Sequence, residues 1–327
     1  MPVKLMTCFA FAAIACAGDH GKLYVTNPDA GVVSVVRLLD RMVVSTIPVI
    51  LGQQTIAISP DSQYLYVGGS GAVSVIDTRS DHVVATIPLP SSTRIDVAVT
   101  TDSRRVYATT YTGVAVIDAQ SRSVVTTIVL SGGRIPYGGI AVNPNGKQVY
   151  VSTNNTGGAI AVIDTATNTE VANLLGFGAG VAFSPDGSRA YVIGGSFGSG
   201  VYIFDTTTCA LVGTIGLPTG GQLGIAVSPD GSRLYVSLPH TSFDLGGMAV
   251  IDTAHGLVLS TFEVLTQTPP WGGVVVSDTG LFVYTLASAV RTVSIIDSQS
   301  NEMVAAIVVG DRPTEMVIKQ GGADDSQ

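Results

Sequence analysis

The residues of this chain with the most chemical capacity fall in two places. The first is the loop from Leu238 to Gly247, Leu-Pro-His-Thr-Ser-Phe-Asp-Leu-Gly-Gly, where His240 and Asp244 stand four apart on either side of Phe243. An imidazole and a carboxylate at that separation can act as base and orienter, or give two ligands to a metal. A plain solvated loop is the competing reading, since the sequence supplies no third ligand. The second place is the set of links between the repeats described below: Gln53, Gln54, Arg94, Asp96, Arg134, Tyr137, Trp271, Arg312 and Glu315. Asp96 and Glu315 together can hold a cation or a basic ligand, and Trp271, the single tryptophan, can stack on a ring. Against this stand an Asp96 paired with Arg94 or solvent and a tryptophan wedged between sheets. The expected binding set is therefore Arg94, Asp96, Tyr137, His240, Phe243, Asp244, Trp271 and Glu315, with no catalytic residue, metal or cofactor assigned.

Other motifs carry less. Gly194-Gly-Ser196-Phe-Gly198 fits G-x-S-x-G, but that nucleophile elbow needs a strand-to-helix turn and both neighbours here read as strands. Asn154-Asn-Thr156 fits a glycosylation sequon. The aspartates at 77, 118, 164, 205, 252 and 297 have metal-ligand chemistry, yet each ends an equivalent run, so each is expected to bond its own turn backbone. His20, His82 and His255 lie in turns and form no cluster.

The elements that must position these groups come from a repeat. The unit is clearest from Leu223 to Thr253: an apolar run, the turn Ser-Pro-Asp-Gly, a second run Leu-Tyr-Val, a variable Gly-rich loop and a third run ending Ile-Asp-Thr. The tyrosine recurs at 24, 66, 107, 150, 191, 235 and 284, a period of about 40–45 residues, which is the spacing of propeller blades. The aspartate recurs in six copies, and Arg37 replaces it in the first. Each copy holds four short β-branched runs bordered by Gly, Pro, Asn or Asp, the signature of a meander. In the Ser-Pro-Asp-Gly turn Pro sets φ, Asp bonds its own backbone and Gly takes the positive φ. A lone meander cannot bury both faces, so the copies must stack, and closing the stack into a ring removes the last open edge. The expectation is an all-β, seven-bladed β-propeller of four-stranded antiparallel blades; an open β-solenoid is the alternative.

Meander geometry puts the Ser-Pro-Asp-Gly turns on one face and the variable loops with the blade links on the other. Variable loops on a rigid frame are where function is grafted, so the site is sought there. The residue just before the inner strand is Gly139, Gly180, Gly224 or Gly273 in four links and Thr55, Asp96 or Glu315 in the other three. These seven are expected to ring the mouth of the central channel.

The motifs Tyr24-Val-Thr-Asn, Tyr150-Val-Ser-Thr-Asn and Val73-Ser-Val-Ile-Asp-Thr resemble the YVTN-type β-propeller repeat family, over nearly all of the chain from about Ile14 to Ile318. The resemblance implies the propeller fold and leaves activity open. Relatives include ligand- or partner-binding scaffolds, others resembling lactonases, lyases, isomerases or quinoprotein domains, and a periplasmic propeller thought to bind single-stranded DNA.

Composition narrows the classes. The 327 residues are 46% hydrophobic and 12% charged with 38 Gly, fitting tightly stacked sheets, and one ring of small cores accommodates that length as a single domain. A net charge of −8 without a Lys/Arg cluster argues against nucleic acid as partner, leaving an unidentified small molecule or protein. No apolar run reaches the ~20 residues of a spanning helix. Residues 1–17 read either as a secretory leader, from Lys4, the apolar run Leu5 to Ala15 and Ala15-Cys-Ala17, or as the inner strand of the first blade, because Ile14-Ala-Cys-Ala-Gly-Asp-His keeps the repeat register before Tyr24. With a leader removed, the address is periplasmic or secreted and Met316 to Lys319 supplies the missing inner strand; with it retained, the address is cytoplasmic. The propeller is placed at 18–319, a disordered tail at 320–327, and the chain is expected to be a monomer without a disulfide framework.

Overall fold

The second run of each repeat is apolar at nearly every position because both of its faces are covered. In the computed structural model, which describes residues 21–90, 94–153, 159–175, 178–194, 200–217, 224–238, 246–264 and 273–321, the second and third strands of each repeat are buried almost throughout, whereas the fourth exposes most of its side chains. Blade 2 gives the pattern: Gln53–Ile58, Tyr64–Gly69, Ala72–Asp77 and His82–Pro88 run antiparallel from the axis outward. Blades 3 to 7 repeat it, with inner strands Val97–Val99, Pro136–Val142, Gly178–Phe183, Ile225–Val227 and Val274–Val276.

Blade 1 is assembled from both ends of the described chain. Met316–Gln320 pairs antiparallel with Gly21–Asn27, with Tyr24 opposite Val317, and takes the inner place ahead of Val32–Arg37 and Met42–Pro48. Gln320, expected in the tail, pairs with Gly21. Residues 1–20, which hold the leader reading, and 322–327 lie outside the described residues. Successive inner strands touch in an unbroken cycle that includes Met316–Gln320 against both Val274–Val276 and Gln53–Ile58, so the sheets form a closed ring of seven. Seven apolar clusters correspond to the seven junctions, each drawn from two adjacent blades. The core is thus divided among the junctions, which is how a chain of this length avoids needing one large interior.

The recurring polar residues stitch the ring together. Each repeat tyrosine is buried between blades. Its hydroxyl reaches a turn of the next blade where that partner is known: Tyr24 donates to Asp81 Oδ1 at 2.7 Å and Tyr107 to Asn168 Oδ1 at 2.8 Å. Asp81 and Asn168 both sit at φ 54°, the left-handed region that Asn and Asp tolerate better than most residues. The aspartates ending the third strands accept from their own turns, as in Asp77 Oδ1 from the N–H groups of Arg79 and Ser80 at 3.0 and 2.9 Å. The following hydroxyl ties this turn to the inner hairpin of the same blade: Thr206 donates to Gly187 O at 2.6 Å and Ser298 to Gly280 O at 2.6 Å. These bonds account for the Asp-Thr and Asp-Ser pairs by structure alone.

Candidate functional site: the channel mouth

A cavity of about 620 Å³ opens at the end of the channel that carries the variable loops and links. All seven residues expected just ahead of the inner strands line it, although Thr55, Gly139 and Gly180 fall inside Gln53–Ile58, Pro136–Val142 and Gly178–Phe183, and their order round the ring divides it into two arcs. Blades 4 to 7 present Gly139, Gly180, Gly224 and Gly273, while blades 1 to 3 present Glu315, Thr55 and Asp96. Four consecutive glycines leave one side of the mouth walled by backbone and by the apolar residues just below, among them Val181, Ile225 and Val274. Among the described residues, the facing side carries every charged side chain of this cavity.

The charged arc is held by backbone clamps. Thr109 donates its N–H to Asp96 O at 2.9 Å and its hydroxyl oxygen accepts the Asp96 N–H at 2.7 Å. Thr26 treats Glu315 in the same way, at 3.0 Å for each contact. Ser237 does so for Gly224, at 3.0 and 2.8 Å. The clamp residue stands two positions after the repeat tyrosine, and a hydroxyl there is the sequence signal that reasoning from runs alone overlooks. Arg94 and Ile95 form a two-residue strand parallel to Gln53 and Gln54, and the Thr55 hydroxyl donates to Ile95 O at 2.7 Å. The close packing of this link against blade 2 requires Gly68, since a Cβ there would lie 2.0 Å from Ile95 O.

Asp96 is almost fully buried, and its Oδ1 accepts from Arg94 Nε at 2.9 Å. Burial opposes the charge on Arg94, but Asp96, then Glu315 and Tyr137, outweigh it and hold the guanidinium above its ordinary pKa. Glu315 is half-buried, and no described residue donates a hydrogen bond to its carboxylate. Its Oε2 points at the glycine arc, where a Cβ on Gly273 would meet it at 3.0 Å. Burial pushes the Glu315 carboxyl up to about 7; Arg94 pulls it down and Asp96 pushes it further up. Tyr111 and Tyr137 also line the mouth and are 64% and 68% exposed, unlike the repeat tyrosines. A second cavity of about 450 Å³ adjoins it, sharing Thr55, Arg94 and Glu315 and adding Asp29, Ser288 and Arg312.

Of the eight residues expected at a site, Arg94, Asp96, Tyr137 and Glu315 come together here. His240, Phe243, Asp244 and Trp271 lie outside the described residues, as do Asn154 to Thr156 and all of the G-x-S-x-G segment but Gly194. Arg134 turns away from the mouth: it is 6% exposed, pairs with Glu170 and donates from Nε to Ser131 O at 2.9 Å. His82, expected in a turn, opens the outer strand His82–Pro88, and His255 lies on a turn 3.1 Å from Asp252; both are exposed. Among the described residues no three His, Cys, Asp or Glu side chains converge as metal ligands, and no helix is long and apolar enough to cross a membrane.

These features define a seven-bladed β-propeller with a polar, asymmetric channel mouth. No family model matches the sequence, and no curated protein does. Among solved structures the chain is similar to Kuenenia stuttgartiensis hydrazine synthase, at 20% identity over 82% of this chain and 95% of that one, with a TM-score of 0.70. It is similar to the Swd1 β-propeller domain of Myceliophteria thermophila at 15% identity, 79% and 86% coverage and a TM-score of 0.64. A third likeness is to the dihydro-heme d1 dehydrogenase NirN, at 17% identity, 89% and 64% coverage and 0.62. At such identities the likeness carries the fold and not the chemistry.

Proposed function

We propose that this chain is a binding propeller whose channel mouth receives a small ligand, with the variable loops of the same face framing it. The observation that carries the reading is the division of the mouth into a bare glycine arc and a charged arc of Glu315, Thr55, Asp96 and Arg94. Stacking alone would not segregate glycine into four consecutive blades, whereas a ligand needs open wall on one side and fixed polar groups on the other. The YVTN-type repeat belongs to this reading, supported by Tyr24 and Asn27, whose amide donates to Val25 O at 3.0 Å and Ser34 Oγ at 2.9 Å. So does an extracytoplasmic address, supported by Lys4 and the apolar run that follows it. Screening small molecules by thermal shift against the full chain and its Gly180→Leu variant tests the proposal. Ligands that stabilise the parent and not the variant are expected; hits that shift both equally would overturn it.

A second reading, an enzyme of lactonase, lyase or isomerase type, is favoured by one observation. Glu315 titrates at about 7 beside a second carboxylate in a cavity, an arrangement suited to proton transfer. Turnover of lactones or epimerisable acids with an inflection near pH 7 that Glu315→Gln abolishes would establish it.

A further inference from the structure

Counting charges across the two joined cavities gives an asymmetry that the pairwise contacts do not remove. Their walls carry three carboxylates, Asp29, Asp96 and Glu315, against two guanidiniums, Arg94 and Arg312. Arg94 is taken by Asp96 at 2.9 Å, and Arg312 lies 3.4 Å from Asp29. Glu315 is the carboxylate left over, on the wall the cavities share. The internal segments outside the described residues contain no lysine or arginine, and His240 is their one basic side chain, in a segment that also holds the carboxylate Asp244. The second oxygen of Asp96, on a side chain 7% exposed, likewise has no hydrogen-bond donor among the described residues.

Resting on the binding reading above, we propose that the channel mouth takes an organic cation, an ammonium or amidinium on a compact apolar body, with its head on Glu315 and the free oxygen of Asp96. The body lies over the glycine arc and the apolar residues beneath it, where only backbone would otherwise meet water. Tyr111 and Tyr137 at the rim offer ring faces that attract a cation as it enters. Among the described residues an anion finds no matching place, because the one guanidinium common to both cavities is already neutralised. The groups facing Glu315 are Arg94, Asp96 and Tyr137 in the mouth and Asp29 and Arg312 in the adjoining cavity. Of these, Arg94 and Asp96 set its titration, and a bound cation favours its ionised form.

Calorimetric titration of the full chain with benzamidine, benzamide and benzoate tests this. Benzamidine is expected to bind at least tenfold more tightly than the other two, and about tenfold more tightly at pH 8 than at pH 6, as a carboxylate near 7 ionises. Glu315→Gln is expected to abolish both the preference and the pH dependence, and Gly180→Leu, which fills the arc and leaves the carboxylate in place, to abolish binding. Equal binding of all three probes, or a preference for benzoate, that Gly180→Leu removes would overturn the cation and leave the mouth as a ligand site. No benzamidine binding, or binding that both variants retain, would overturn the cation, and retention would remove the mouth as well.

Discussion

Two carboxylates of this chain, shifted in opposite directions, give its stability opposite dependences on pH. Glu315 keeps its proton to about pH 7 when folded, whereas an unfolded glutamate releases it near 4.5. Between those values the unfolded state binds fewer protons, so stability falls as pH rises and the deficit is complete above 7. At ~1.4 kcal/mol per pH unit, the shift from 4.5 to about 7 makes this deficit at most roughly 3.5 kcal/mol. Glu315→Gln keeps the shape without the charge. Its melting temperature by calorimetry is expected to exceed the parent's at about pH 8.5 and to match it at about pH 5; equal values at both would mean that the charge is compensated in the fold. Asp230 runs the other way. The Ser228 hydroxyl and the N–H and hydroxyl of Ser232 hold it down to about 2 from 3.8, so its contribution is present above 3.8 and lost as pH falls through 2. Asp230→Ala is expected to cost about 1 kcal/mol at neutral pH in denaturant melts, shrinking toward zero in acid. Asp230→Asn is expected to keep most of the stability, because Asn145 in blade 4 already accepts the Lys147 N–H at 2.9 Å in the same turn position.

At the scale of elements, the site depends on short links rather than on the blades themselves. Arg94 and Asp96 are aimed by two residues of parallel strand and by the Thr55 and Thr109 hydroxyls. Gly68→Ala puts a Cβ 2.0 Å from Ile95 O and must push this link outward. It is expected to cost about 1–3 kcal/mol, the usual range for overpacking. It should also weaken ligand binding at the mouth, although position 68 does not line the cavity; unchanged binding in a destabilised variant would show that the link moves without the site. The blades were legible because the tyrosine marks every copy and the terminal aspartate six of the seven, with the Ser-Pro-Asp-Gly turn repeated at 184–187 and 228–231. The position of Asp96 and Glu315 was legible for the same reason, by counting one residue back from each inner strand. The parallel pairing of Arg94 and Ile95 was not, because two residues carry no period. Nor was the charge balance, since Arg312 and Asp29 meet from 283 positions apart.

For the molecule as a whole, the cavity and the ring are one object, because every blade lines the mouth and no smaller set of blades encloses it. Closure rests on Met316–Gln320, whose Met316 is buried in the cluster between blades 7 and 1 and whose backbone pairs with Gly21–Asn27. The same short segment follows Glu315 directly, and Thr26 clamps that residue from the strand it pairs with, so closing the ring and setting the leftover carboxylate are a single act. A chain ending at Gly310 would expose the edge of Gly21–Asn27 and lose the Met316 contacts along with Glu315. Such a chain is expected to lose the cooperative melt, to bind apolar dyes at the uncovered cluster and to associate through the open sheet edge. A chain beginning at Gly21 after an initiator methionine contains every described strand and is expected to melt with the parent. The pair separates two ideas of closure: if the shortened C-terminus still unfolds in one sharp transition, the seventh junction contributes little and the ring is held by the other six; if it does not, the final strand is the clasp on which both fold and channel mouth depend.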